Sequence, residues 1–210
     1  GAYAVQGKGA AFIESVDGRV HLRQFEETLA FRRPTFIDKP LAVRGTEAET
    51  ILRLAREQGV PVMCSSALRY ADNFHKALEP SEELGRVLGI DAFGPMSLEP
   101  TQPGMFWYGV HSAEMIVAAL GVGFQRVQAL VTDGYDLITA SWSDGRSATY
   151  RGMRQGCGQF GATLHYEKGM RFIDIQANAR PFYAGLLEAI MRSLPAGRSD
   201  VPPEQMLEVV

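Results

Sequence analysis

The first third of the chain alternates short apolar runs with longer segments whose apolar residues recur at helical spacing. The runs at residues 9–15, 35–38 and 60–66 have the length and composition of buried strands. Between them, residues 20–33 and 46–59 carry their apolar side chains on one side of a helix. A β-α-β-α-β order with nearly continuous apolar strands predicts a parallel sheet joined by right-handed crossovers.

Individual residues mark the ends of these two predicted helices. Pro34 lacks a backbone N–H and is expected to stop the first helix. Thr46 and Glu49 have the spacing of a capping box, which predicts the start of the second helix. Gly59 suits the left-handed conformation with which many helices end.

The pattern changes after Arg69. Residues 71–87 have a helical pattern interrupted at Pro80, and residues 112–121 have another that Gly121 ends. The later predictions are strands at about 124–132, 136–143, 147–153, 159–167 and 170–176, then a helix at 182–194.

Asp144-Gly145 and Lys168-Gly169 stand between consecutive predicted strands, where hairpin turns need residues that tolerate positive φ. We therefore predict an antiparallel meander in this half. The expected fold class is α/β (α+β overall), in which a parallel β-α-β-α-β unit precedes a mainly antiparallel open sheet with flanking helices.

The composition is that of an ordinary globular protein, with 46% hydrophobic and 21% charged residues, so a sizeable core is expected. The net charge of −3 and the absence of a dense Lys/Arg cluster argue against nucleic-acid binding. No apolar run reaches membrane-spanning length and no signal peptide is visible, so we expect a cytoplasmic protein with no membrane partner. Cys64 and Cys157 lie far apart without histidines at metal spacing, which favours two structural thiols and predicts no metal site.

The triplet Asp38-Lys39-Pro40 directly follows a predicted strand. In open α/β sheets, ligands bind beyond the carboxyl ends of the strands. Pro40 biases Lys39 towards an extended conformation, and a lysine offers a point charge and donors to a substrate hydroxyl or a cofactor. The alternative is a surface lysine beside a turn proline, which spacing alone slightly favours.

Three stretches resemble the Gfo/Idh/MocA family of NAD(P)-dependent oxidoreductases. They are FRRPTFIDKPLAV, ILRLAREQGVPVMCSSALRY and MFWYGVHSAEMIVAALG, in that order along the chain. The Glu-Lys-Pro motif of the family appears as Asp38-Lys39-Pro40, its arginine after the sixth Rossmann strand as Arg69, and its Gly-x-His helix start as Gly109-Val110-His111.

The resemblance implies a dehydrogenase-like chain that acts on a sugar, polyol or related hydroxy compound. It implies that Lys39 hydrogen-bonds the reacting hydroxyl and contacts the cofactor, and that His111 is the general acid/base during hydride transfer. A histidine suits this role because its ordinary pKa is about 6.5. The alternative for His111 is a histidine at a helix start that packs on aromatic neighbours.

The chain departs from the family near this histidine. Trp107 stands where the family often places an aspartate four residues before the histidine. Arg69, Tyr108 and Glu114 are the remaining polar candidates for the substrate site, together with Trp107 itself. The run of aromatic residues at 106–108 is either ordinary packing or a platform on which a sugar stacks, and the sequence leaves both open.

A second departure concerns the cofactor. The segment GKGAAF at residues 7–12 has phenylalanine at the third glycine position and precedes a strand, so it is not a dinucleotide fingerprint. Compared with the family, the chain is expected to begin at about the fourth Rossmann strand and to stop before the final helix and strand. NAD or NADP is expected for the complete protein, and binding by this chain alone is in doubt.

The resemblance also implies a rim for the nicotinamide end of the cofactor. Its members are Glu14, Ser15, His21, Lys39 and Pro40. For Glu14 and Ser15, an ordinary loop that leads into a helix is an equal alternative. For His21, a residue on the surface of the helix is favoured over a ligand contact.

The resemblance divides the chain into a partial Rossmann-like dinucleotide-binding domain at 1–70 and a substrate-binding and oligomerisation domain at 71–210. The apolar stretch 128–142 suggests a sheet face that a second subunit covers in a homo-oligomer, a dimer or tetramer, whereas cover by the chain's own helices is the alternative. The competing function is a non-catalytic scaffold that binds a carbohydrate or a partner and has lost its cofactor.

Overall fold

The computed structural model describes residues 9–156 and 158–210, so the prediction for Cys157 lies outside the described residues. The helices are α1 His21–Leu29, α2 Gly45–Gln58, α3 Asp72–Leu78, α4 Gly109–Leu120, α5 Phe182–Ser193 and α6 Pro203–Glu208. The strands are β1 Ala11–Ile13, β2 Thr35–Asp38, β3 Val62–Ser65, β4 Val87–Pro95, β5 Phe124–Val131, β6 Tyr135–Trp142, β7 Ser147–Met153, β8 Gly161–Tyr166 and β9 Gly169–Asp174.

The described residues form two compact units. The first contains residues 9–66 and Leu186–Val210, and the second is Ala67–Gly185. Residues 186–210 therefore belong with the first unit, whereas the sequence had grouped them with the second domain.

The first unit contains the predicted parallel sheet, with strand order β1-β2-β3. Phe36, Ile37 and Met63 are buried, although successive residues of a strand point to opposite faces. Helices provide the cover: the side chains of Phe25 in α1 and Ile51 in α2 are inaccessible to solvent. Burial on both faces explains why these strands read as continuous apolar runs.

Of the two sequence patterns predicted to mark the ends of α2, the one at the C-terminal end is confirmed. Gly59 ends the helix in the left-handed conformation, with φ of 61°. The capping box was wrong, because the helix begins at Gly45 and its N-cap residue, Arg44, makes no side-chain capping hydrogen bond. Thr46 is already inside the first turn, where its carbonyl accepts a hydrogen bond from the Thr50 hydroxyl.

The second unit is built on a six-stranded sheet with the order β5-β6-β7-β4-β8-β9. The predicted antiparallel pairing is confirmed for β5-β6-β7 and for β8-β9. Between these two groups lies β4, which is parallel to β7 and antiparallel to β8. The sequence analysis did not predict this central strand.

The missed strand follows from an overextended helix. Helix α3 ends at Leu78, since the proline at position 80 disfavours continuation of the helix just before it. The chain then turns through Gly85, with φ of 76°, and enters β4. The second half of the predicted helix at 71–87 was therefore wrong.

The two predicted hairpins differ in accuracy. Gly145 has φ of 89° in the β6–β7 turn, and its N–H donates to the carbonyl of Trp142. In the second hairpin, Tyr166 pairs with Gly169, so the loop residues are Glu167 and Lys168, one position earlier than predicted.

The chain's own helices cover one face of the six-stranded sheet. Helix α4 packs on β4 and β7, and α3 packs on β9. The resulting core includes buried Phe74, Ile90, Met115, Ala148, Ala162 and Leu164.

The other face of this sheet, which we call the open face, carries two kinds of row. The register aligns the polar residues Thr139, Thr149, Asp91 and Thr163 across four strands. A parallel row brings together Leu130, Leu137, Arg151 and Phe93, with exposed Phe172 stacked on Phe93. Intramolecular helices thus account for only one side of the sheet. Within the described residues, no helix has both the length and the apolar character needed to cross a membrane.

Candidate active site

The Asp38-Lys39-Pro40 segment lies at the carboxyl end of β2, as the sequence predicts. The side chains of Asp38 and Lys39 are partly buried, and the Lys39–Pro40 peptide bond is cis. Burial raises the pKa of the Asp38 carboxyl, against the opposing effect of the Lys39 charge. Burial lowers the pKa of the Lys39 amine, and the charge of Asp38 opposes this change. Two opposite charges therefore share a partly desolvated position at the end of the strand.

The turn after β1 lies directly against this segment. A Cβ atom added to Gly18 would lie 2.7 Å from Cγ of Pro40, so only glycine allows this close approach without a shift. Earlier in the same turn, the Ser15 hydroxyl donates to Oε1 of Gln24 over 2.6 Å, while Glu14 is exposed. This turn contains no further glycine, so it is not the glycine-rich loop of a dinucleotide fingerprint.

His21 is fully buried at the start of α1, so the surface position favoured by the sequence analysis was wrong. Its Nδ1 lies 2.7 Å from the carbonyl oxygen of Pro40. Its Nε2 lies 2.8 Å from the carbonyl oxygen of Ser15. The ring therefore links the turn after β1 to the segment that carries Lys39.

In the second unit, His111 lies in the first turn of α4, which begins at Gly109 rather than at the predicted residue 112. Its ring packs edge-on against Tyr108 and Phe160, with centroid distances of 5.7 Å and 5.4 Å. The rings of Tyr108 and Phe160 are parallel to within 5°, and Trp107 contacts Tyr108 edge to face. We call the rings of Trp107, Tyr108, His111 and Phe160 the aromatic cluster. Within it, His111 is partly exposed and its surroundings are largely apolar.

Arg69 and Glu114 form a buried ion pair. Nε of Arg69 donates to Oε2 of Glu114 over 3.0 Å, and their side chains are 13% and 3% exposed. Glu114 lies one helical turn after His111 on α4, whereas Arg69 belongs to the short turn at Ala67–Tyr70. The pair fastens that turn to α4, so it can orient the helix that carries His111.

Sequence reasoning missed several residues of these two groupings. Phe160 lies 49 positions after His111, and no spacing rule relates them. Gly18 was not among the predicted site residues, although its close contact with Pro40 leaves no room for a Cβ atom. Within the described ranges, no three His, Cys, Asp or Glu side chains come together in a way that would hold a metal ion.

A surface cavity of about 420 Å³ in the first unit lies elsewhere. It is formed by the carboxyl end of α2 and by residues 197–203 of the C-terminal segment, and it includes no residue of the predicted site.

The fold places the chain among α/β proteins that combine a parallel unit with a large mixed sheet, an arrangement found in solved dehydrogenase structures. No family model matches the sequence, and no curated protein matches it.

Three solved structures illustrate the likeness. UDP-N-acetylglucosamine 3-dehydrogenase GnnA from Acidithiobacillus ferrooxidans has a TM-score of 0.79 at 15% identity, over 95% of this chain and 74% of that chain. Myo-inositol 2-dehydrogenase from Lactobacillus plantarum has a TM-score of 0.80 at 14% identity, over 97% and 76%. GenD2 from gentamicin A biosynthesis, in complex with NAD, has a TM-score of 0.79 at 16% identity, over 95% and 72%. At these identities the likeness establishes a common fold.

Substitution of Glu114 is expected to destabilise the chain strongly. Glu114→Gln removes the carboxylate charge and leaves the buried guanidinium of Arg69 without its counter-ion, at a cost of about 3–5 kcal/mol. The free energy of unfolding in urea measures this loss. Glu57→Gln is the matched control, because it breaks the Arg53–Glu57 pair, whose side chains are each 49% exposed, and should cost less than about 1 kcal/mol. Equal losses would show that the buried pair has no special role.

The amine of Lys39 is expected to titrate below the ordinary lysine range. The chain has four lysines, so each amine can be followed separately by NMR once all four have been dimethylated. The resonance that disappears in Lys39→Met is that of Lys39. Asp38→Asn should lower the pKa of Lys39 further, since the Asp38 charge favours the ammonium form. Asp144→Asn, a change in the second unit, should leave it unaltered. An ordinary lysine pKa in the unaltered protein would contradict the partly buried position.

Proposed function

We propose that the chain is part of a Gfo/Idh/MocA-type oxidoreductase that transfers hydride between NAD(P) and a sugar, polyol or related hydroxy compound. The observation that carries the proposal is a lysine with a lowered pKa, partly buried at the carboxyl end of a parallel strand. Desolvation of a charged group costs free energy, and such groups concentrate at functional sites. The fold likeness to dehydrogenases of a nucleotide sugar and of an inositol supports the substrate class.

The residues of the first unit suit the nicotinamide end of the cofactor. Glu14, Ser15 and Lys39 offer a carboxylate, a hydroxyl and an ammonium group near the carboxyl ends of β1 and β2, where ligands of α/β sheets bind. Pro40 and His21 complete this rim, and His21 acts on it through the backbone rather than by direct contact. The bound nicotinamide would supply the acceptor or donor of the hydride.

Two residues of the chain would manage the substrate hydroxyl. Lys39 donates a hydrogen bond to the hydroxyl oxygen and stabilises the negative charge that develops there as the proton leaves. His111 accepts that proton during oxidation and returns it during reduction.

The substrate would be recognised by the aromatic cluster and by the polar groups around it. Trp107 and Tyr108, which are partly exposed, would offer aromatic surface to the apolar side of a sugar or cyclitol. Arg69 and Glu114, which are bound to each other, would hold the helix of His111 in place rather than act as free ligands.

A non-catalytic carbohydrate-binding scaffold is the second candidate, and the aromatic cluster favours it. The two functions differ in their dependence on Lys39. A scaffold would bind a sugar through the aromatic cluster whether or not Lys39 is present, and it would not change the redox state of a nicotinamide.

We also propose that the open face of the six-stranded sheet pairs with the same face of a second copy. Its Leu130, Met170 and Phe172 side chains are 56%, 68% and 67% exposed, and exposed apolar groups of this size on one face indicate an interaction surface. Isologous pairing would bury them in a homodimer.

The catalytic roles predict that Lys39→Met and His111→Ala each lower kcat by at least about 100-fold, because loss of a donor that stabilises developing charge, or of a positioned proton carrier, has an effect of this size. Turnover is followed by nicotinamide absorbance with inositols, free sugars and nucleotide sugars as substrates. His75→Ala, which alters an exposed histidine of α3, is the control and should keep full activity. Turnover that survives both site substitutions would contradict the assignment. Sugar binding without turnover by the unaltered protein would favour the scaffold.

The pairing of the open face predicts that Phe172→Glu converts the homodimer into monomers. Burial of a carboxylate at position 172 on the edge strand β9, in place of an apolar ring, would cost desolvation free energy in the dimer. Light scattering coupled to gel filtration measures the molar mass. Leu98→Glu is the control, since Leu98 is 53% exposed outside the strands of the sheet, and this variant should remain dimeric. A monomeric unaltered chain would disprove the pairing.

A further inference from the structure

The surroundings of the buried His21 ring are unusual because both of its nitrogens face hydrogen-bond acceptors. Nδ1 lies 2.7 Å from the carbonyl oxygen of Pro40, and Nε2 lies 2.8 Å from the carbonyl oxygen of Ser15. A backbone carbonyl can only accept, whereas neutral imidazole has one N–H and one lone pair. In either tautomer, a neutral ring would hold a lone pair against a carbonyl oxygen at hydrogen-bond distance.

The doubly protonated ring satisfies both contacts. Each nitrogen then donates to its carbonyl, and charge-assisted bonds of this kind are about twice as strong as neutral ones. Two carboxylates interact electrostatically with the ring: Asp17, whose pKa is lowered chiefly by the hydrogen bond from Arg19 and least by His21, and Asp38, whose pKa burial raises against the opposing effects of Lys39 and His21. The buried charge therefore has two acceptors and two negative neighbours, which offsets part of its desolvation.

The two carbonyls belong to segments that the sheet holds only at one end. Ser15 is in the turn that follows β1, and Pro40 follows β2, so the hydrogen bonds tie together the carboxyl ends of two neighbouring parallel strands. Gly18 reinforces the link, since its backbone lies so close to the ring of Pro40 that a Cβ atom would be 2.7 Å from Cγ. An ordinary loop would need neither two hydrogen bonds to a buried ring nor a glycine at such a close contact.

We propose that His21 is a doubly protonated clamp that fixes the turn after β1 against the Asp38-Lys39-Pro40 segment and thereby positions Lys39. His21 is a positioning residue in this scheme, because it acts on Lys39 through the backbone of Pro40. The clamp itself is independent of the proposed function, whereas its importance for hydride transfer rests on that function.

The protonation of the ring is measured directly on the unaltered chain. In a two-bond ¹H–¹⁵N correlation spectrum, protonated and unprotonated ring nitrogens of histidine resonate in separate ranges. At neutral pH, both His21 nitrogens are expected in the protonated range, and His21→Gln assigns the signals by their loss. One nitrogen in the unprotonated range would overturn the proposal, and this measurement does not depend on whether any variant folds.

The mechanical part of the clamp is tested by amide hydrogen exchange. His21→Gln keeps one donor group but cannot donate from both ends, so the amides of Lys39, Leu41 and Ala42 should exchange about tenfold faster or more, the size expected for loss of a hydrogen bond to a charged group. His75→Gln is the matched control on an exposed helix and should leave these rates unchanged. Unchanged rates in His21→Gln would overturn the clamp.

A second pair of variants tests the same contact from its other side. Gly18→Ala places a methyl group against Pro40 and should accelerate exchange in the same segment. Gly45→Ala is its control, because a Cβ atom there meets nothing within 4 Å. If Gly18→Ala leaves the segment unaffected, the close approach is not part of the clamp and the proposal fails in this form.

These results separate the clamp from the proposed function, since neither readout uses a cofactor or a substrate. A doubly protonated His21 in a protein without dehydrogenase activity would leave the clamp intact and disprove the function. Dehydrogenase activity in a protein with a neutral His21 would support the proposed function and disprove the clamp. If both hold, His21→Gln should reduce kcat more than it raises KM, because a displaced Lys39 would affect the reacting hydroxyl more than overall binding.

Discussion

The first unit depends on the constraint that parallel strands place their last side chains together at one partly dry edge. There, the free energy of desolvation opposes the charge of both Asp38 and Lys39, and their mutual attraction only partly offsets it. Opposite charges in such a partly buried position add little to stability compared with apolar residues of the same size. A lysine in this position is therefore explained better by what it can bind than by what it contributes to folding.

Such a group is useful only if its position is well defined, and the structure supplies supports that are distant in sequence. The Asp38-Lys39-Pro40 segment is held from outside by Gly18 and His21, about twenty residues earlier in the chain. In the second unit, the helix of His111 is held by the ion pair between Glu114 and Arg69. His21, Gly18 and Glu114 are buried, whereas Lys39 and His111 are partly exposed, which is the arrangement expected for preorganised sites.

The parts of the fold that the sequence predicted are those in which local pattern and tertiary environment agree. The parallel strands are buried on both faces and read as apolar runs, and the helix that ends at Gly59 is amphipathic with a left-handed C-terminal residue. The central strand β4 was not predicted, although part of its local pattern agrees with its environment in the sheet. Its Ile90 and Ala92 are buried and Asp91 is exposed, a period of two that was masked by the helical pattern that runs into it.

The sequence predicted which residues the candidate site contains, but not how their side chains are arranged. The sequence and its family resemblance selected Lys39 and His111, because a lysine after a strand and a histidine at a helix start have recognisable local settings. Nothing local relates His111 to Phe160, or His21 to the carbonyl of Pro40, since these contacts form only when the sheets are assembled. His21 was expected on the helix surface because the turn that covers it precedes the helix and has no apolar pattern.

The open face of the large sheet shows how a polar surface can still be suited to burial. Asp91 accepts hydrogen bonds from Thr149 over 2.6 Å and from His165 over 2.7 Å, so the centre of the face has already satisfied much of its own hydrogen-bonding potential. The exposed apolar side chains lie towards the two edge strands, with Leu130 on β5 and Phe172 on β9. A two-fold axis that lies in the plane of the interface, parallel to the strands, would bring the β5 edge of one copy over the β9 edge of the other, so the apolar edges would cover each other. Asp91 would then be buried with its hydrogen-bond partners already in place, and Arg151 with its guanidinium over the ring of Tyr135, 4.6 Å from the centroid.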